Sequence, residues 1–102
     1  MHLVQLLLPL YDNAGHRVSR ETFARVRDEL TQRFGGITAY MRSPAQGTWI
    51  EPGGDVERDD IVVCEVMVDT LDRDWWARYR HELEAQLGQQ ELVVRSCAIE
   101  RL

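Results

Sequence analysis

Lysine is absent from this chain; all twelve of its basic residues are arginine, dispersed along 102 positions. Against them stand seventeen acidic residues, for a formal charge of −5. A nucleic-acid binder concentrates positive charge to release counterions from phosphates, so scattered arginines on an acidic chain argue against that partner. Long hydrophobic runs are lacking too. Nothing approaches the ~20 apolar residues of a membrane span, so no membrane partner is expected. The apolar start, His2 to Pro9, has no basic segment before it and no small-residue cleavage site after it. It reads as a strand rather than a signal peptide, and a cytoplasmic location is the expectation.

Cysteine is scarce, with Cys64 and Cys97 alone and no CxxC. A disulfide needs their Cα atoms within ~7 Å. The fold argued below puts a strand between them and predicts free thiols. The chain also has no CxxCxxC run for an iron–sulfur cluster, no GxSxG, no HExxH and no phosphate-binding glycine loop. His2, His16 and His81 are far apart, and the His81/Glu84 pair at i, i+3 has no third ligand. No metal and no cofactor are expected.

What is present is ordinary for one soluble domain spanning residues 1–102: 44% hydrophobic and 28% charged residues. A domain of this size buries roughly two-thirds of its unfolded surface. One helix design occurs twice. Ser19 is followed by Phe23, Val26, Leu30, Phe34 and Gly35, and Asp72 by Trp76, Tyr79, Leu83, Leu87 and Gly88, fifty-three residues on. In each copy a capping residue opens the helix, the apolar anchors step by three, four and four, and glycine closes it.

Strand patterns flank both copies, at residues 3–10, 37–41, 60–69 and 92–99. Thr48 to Glu51 and the turn residues Pro52-Gly53-Gly54-Asp55 predict a hairpin arm between the second and third strands. The order βαββαβ, with right-handed crossovers, predicts an α+β, ferredoxin-like fold. Its four-stranded antiparallel sheet has spatial order 4-1-3-2, with both helices on one face and the arm projecting. Strands one and three carry no aromatic residue, which disfavours the base-stacking mode of RNA-recognition domains.

Two helices cover one face only. On strand three, Val62, Cys64, Val66 and Val68 alternate with Ile61, Val63, Glu65 and Met67, and both sets are largely apolar. The Glu65 side is assigned to the open face, near Gln5 of strand one. Ile61, Val63, Met67 and Trp49 are the candidate interface residues of a homodimer formed there. An acid inside an apolar strand is also a candidate general base, and Glu65, Tyr40 and His16 are the candidate catalytic groups. The long loop into the first helix carries Asp12, Asn13, His16 and Arg17, candidate contacts for a small anionic ligand beside free helix amides. The bland alternative there is an Asx-type turn feeding the helix cap.

Several segments together carry a resemblance that spans nearly the whole chain. They are the run from Leu6 to Asp12, the stretch from Arg33 to Tyr40, and Asp60-Ile61-Val62-Val63 ahead of Trp75-Trp76. These resemble small bacterial proteins of unknown function with a ferredoxin-like fold, a resemblance that implies the fold and no chemistry. By architecture alone the chain is also similar to the dimeric α/β-barrel superfamily. There two such sheets pair through their open faces, and some members are monooxygenases or stress-response proteins. Two readings follow. One is a non-enzymatic dimeric module that binds a partner or small ligand; the other is a cofactor-independent small-molecule enzyme.

Overall fold

The computed structural model describes residues 1–35 and 61–102, together with the backbone of 38–42. The expected hairpin arm, Trp49 and Ile37 lie outside the described residues. The elements are β1 (His2–Pro9), α1 (Arg20–Phe34), β2 (Thr38–Arg42), β3 (Ile61–Val68), α2 (Arg73–Gln86) and β4 (Val93–Ala98), an α+β chain. All strand pairings are antiparallel, and the sheet runs β2-β3-β1-β4. Strand boundaries fall within one residue of the apolar runs that predicted them.

Both helices end as their sequences dictate. Ser19 accepts a hydrogen bond from the Thr22 amide at 3.2 Å, and Asp72 accepts one from the Trp75 amide at 3.1 Å. Each satisfies one of the donors that a helix N-terminus leaves unpaired. At the far ends Gly35 and Gly88 take φ of +81° and +61°, the left-handed region that a side chain disfavours. The anchors between caps and glycines then form one layer. Val26 and Leu30 of α1, and Trp76, Tyr79 and Leu83 of α2 with Leu87 at its cap, join Val4, Leu6, Leu8, Cys64, Val66 and Val68 in a single buried cluster.

An aromatic group ties the two helices together. Phe34, closing α1, stacks on Trp76 with centroids 5.2 Å apart and meets Trp75 edge-on at 5.3 Å. Arg33 lies 4.4 Å above the Trp75 ring, so Trp75 is half-buried beneath a cation. The Tyr79 hydroxyl donates to Glu29 of α1 at 3.0 Å. Burial, and then this carboxylate, push the Tyr79 pKa above its ordinary value.

The two cysteines are free. Cys64 pairs with Leu6 on the covered side, whereas Cys97 shares a row with Leu3 on the other, and β1 runs between them. Burial pushes the Cys64 thiol up to about 11, which keeps it protonated near neutral pH. Neither described helix is long and apolar enough to cross a membrane.

Candidate functional site

Side chains alternate along a strand, so the register decides which residues share the uncovered face. Thr38, Glu65, Gln5 and Arg95 are successive partners across all four strands. Glu65, Gln5 and Arg95 form one polar row through the middle of that face. Arg95 donates from Nε to Oε1 of Gln5 at 2.9 Å, and Glu65 stands on the opposite side of Gln5, half-buried. Above and below this row the face is apolar. Leu3, Met67 and Cys97 form one flanking row, while Leu7, Val63 and Val93 lie on the other side.

Exposure along these rows is uneven. Met67 and Val93 are 53% and 50% exposed, Ile61 is half-buried, and Val63 is 2% exposed. Of the described interface candidates, Met67 therefore offers most surface and Val63 almost none. Tyr40 pairs with Val63 through the β2 backbone.

The loop before α1 is a tight reversal. Val18 donates its amide to Leu10 at 2.8 Å, Tyr11 bridges Arg17, and Asp12 donates to the His16 carbonyl at 2.8 Å. At its tip the Asp12 carboxylate accepts from the amides of Ala14 at 2.9 Å and His16 at 2.8 Å. This is an Asx-type turn, in which the carboxylate stabilises its own backbone. The exposed His16 ring lies 3.6 Å from the other Asp12 oxygen. Asn13 gives its amide to the Gly88 carbonyl at 3.0 Å, and Gln89 reaches the Tyr11 carbonyl at 2.7 Å. The loop is thereby fastened to the end of α2.

In the sequence Glu84 is half of an incomplete metal pair with His81. It is a buried carboxylate with a structural task. Its Oε2 accepts from the Leu92 amide at 3.0 Å and from Arg80 at 3.1 Å, and Oε1 lies 3.2 Å from His81. No cluster of three metal-ligating side chains occurs among the described residues.

Two cavities flank the helices on the covered side of the sheet. One, of about 420 Å³, lies beside α1 with Phe23, Val62 and Cys64 in its wall and Arg17, Arg20 and Arg27 at its mouth. The other, of about 220 Å³, lies beside α2, with Trp76 and Val94 in its wall and Arg73 and Arg80 around it. Neither Glu65 nor His16 lines either of them. These arginines were missed, although the signal was available: the fifty-three-residue repeat extends past the apolar anchors to Arg20/Arg73, Ala24/Ala77 and Arg27/Arg80.

No family model and no curated protein matches the chain. Among solved structures it is similar to a phage SAM lyase in complex with S-methyl-5'-thioadenosine. The TM-score is 0.60 at 12% identity, over 94% of this chain and 79% of that one. A likeness at that identity concerns the fold.

Proposed function

We propose that the chain is a ferredoxin-like, non-enzymatic module, akin to the small bacterial proteins its segments resemble, that pairs with a second copy through the open face of its sheet. The observation that carries this reading is the polar row, with an acid, an amide and a guanidinium in line on an otherwise apolar face. A two-fold axis lying between two facing sheets and running parallel to β1 reverses the order of the row. Glu65 of one copy then lies over Arg95 of the other, and Gln5 over Gln5. Facing sheets sit about 10 Å apart, a gap that long side chains span from both sides.

Size supports the same reading. Two eight-residue central strands and edge strands of five and six residues, at about 3.3 Å per residue and about 4.8 Å apart, give a face of about 430 Å² in plan before side-chain relief is counted. A standard interface takes about 800 Å² from each partner. The enzyme reading calls for its acid and base around one enclosed cavity. Glu65 stands in the open row and His16 at a turn tip, which favours the module.

Sedimentation equilibrium with a charge-swap cycle tests the proposal. The wild type is expected to be a dimer at micromolar concentration. Arg95→Glu and Glu65→Arg each weaken it about tenfold or more, and the double variant recovers most of the loss. A monomeric wild type, or a double variant as weak as the sum of the singles, would refute the pairing.

A further inference from the structure

The repeated helix face makes more than a core. Residues 20, 23, 24 and 27 recur at i, i+3, i+4 and i+7 and so form one strip along α1. An arginine stands at each end, with Phe23 and Ala24 between them. Two helical turns separate the end residues by about 10 Å. Ala24 is the small residue in this strip, and it lines the cavity of about 420 Å³ together with Phe23, Arg20 and Arg27. Arg17 comes to the same mouth from the loop.

We propose that this cavity binds a small organic anion, an acid group carried on an aromatic or alicyclic body. Its volume lies within the range of small-molecule sites, about 300–1,000 Å³. Phe23, Val62 and the protonated Cys64 thiol give the body an apolar wall without a competing charge. Three guanidiniums at the mouth present planar donor forks to a carboxylate, sulfonate or phosphate. Among the described residues their one acid within ion-pair distance is Asp28, 3.6 Å from Arg27, and both side chains are well exposed, so that pairing is weak in water.

The second copy shows what distinguishes the site. Beside α2 the matching strip carries Trp76 in place of Phe23, and the cavity holds about 220 Å³. Arg80, the counterpart of Arg27, is held at 3.1 Å by the buried Glu84. The repeat thus carries one roomy cleft whose arginines meet no buried acid among the described residues, and one smaller cleft in which Arg80 is neutralised by the buried Glu84. The α1 cleft lies on the helix side of the sheet, so this inference stands apart from open-face pairing.

Fluorescence titration of the full chain with anilinonaphthalene sulfonate, an aromatic anion, tests it against N-phenylnaphthylamine, which lacks the acid group. The expected result is saturable binding of the sulfonate near one per chain, with the neutral compound bound about tenfold more weakly. Arg20→Gln and Arg27→Gln each weaken the sulfonate about tenfold and leave the neutral compound unchanged. Arg73→Gln, in the α2 cleft, changes neither. Ala24→Leu fills the cavity and abolishes both; should that variant fail to fold by circular dichroism, the arginine variants decide. Equal affinity for the two compounds, no loss in Arg20→Gln and Arg27→Gln, or an equal loss in Arg73→Gln would overturn the proposal.

Discussion

Replacing Glu84 by alanine should cost more than any exposed charge in the molecule, because it strips a buried amide of its acceptor. The carboxylate receives the Leu92 amide at 3.0 Å, just ahead of β4, while the Glu84 carbonyl receives the Gln89 amide at 2.9 Å. One residue thus ties the last turn of α2 to the start of the edge strand. An unsatisfied buried N–H costs about 1–3 kcal/mol. Loss of the Arg80 contact adds a smaller amount, since the Arg80 side chain is 33% exposed and water screens the pair. The sum is about 1–4 kcal/mol for Glu84→Ala. At about 4–8 °C per kcal/mol for a domain of this size, the melting temperature falls by at least ~4 °C. Glu84→Gln keeps an oxygen for the Leu92 amide and should lose only about 1 kcal/mol. Arg80→Ala should lose less than ~1 kcal/mol. Urea unfolding measures all three, with unchanged m-values as the check that stability alone has moved. If Glu84→Gln costs as much as Glu84→Ala, charge rather than the acceptor matters, and the reasoning is refuted.

Alkaline pH should destabilise the fold, because the Cys64 thiol, at about 11 against an ordinary 9.0, and the Tyr79 hydroxyl both hold their protons after the unfolded chain has released them. Their stabilisation is fully present below about pH 9 and is lost as pH rises towards about 11 and beyond; Tyr79→Phe should flatten the upper part of the fall, whereas constant stability across that window would contradict the assignment. Gly88→Ala should cost about 2 kcal/mol or more, since its Cβ would sit 2.9 Å from the Asp12 Cβ as well as at positive φ. Gly35→Ala, with nothing within 4 Å, should carry the backbone term of about 1 kcal/mol alone, and equal losses in thermal melts would show that the Asp12 contact is unimportant. A thiol reagent should modify Cys97 alone in the folded chain and both cysteines in denaturant, with the Cys97 rate falling as protein concentration rises; reaction of Cys64 at a comparable rate would contradict its burial.

Much of the fold is legible in the sequence because each local signal agrees with the next. Ser19 and Asp72 are helix caps by their chemistry, and Gly35 and Gly88 are exits because only glycine takes positive φ without strain. The alternation of Val62, Cys64, Val66 and Val68 with Ile61, Val63, Glu65 and Met67 divides the two faces of β3 before any pairing is known. The pairing places Gln5 directly opposite Glu65. Other features depend on distances between segments and leave little local trace. Glu84 looks like a surface charge beside His81 until the turn after α2 carries the Leu92 amide back to it. Asp12 reads first as a turn former and second as a ligand contact, and the amides of Ala14 and His16 decide for the turn. Val63 shares its face with the half-buried Ile61 and Glu65 yet is itself buried, which a period of two has no means to indicate. The arginine strip was written in the repeat, but its meaning required knowing that Ala24 borders a cavity.

The pairing of open faces is tested most directly by isotope-filtered NOE spectroscopy on an equal mixture of labelled and unlabelled chains. The account predicts intermolecular contacts among the methyl groups of Leu3, Leu7, Met67 and Val93, which share the uncovered face around the Gln5 row. An absence of intermolecular contacts at concentrations well above micromolar, or contacts confined to α1 and α2, would contradict it.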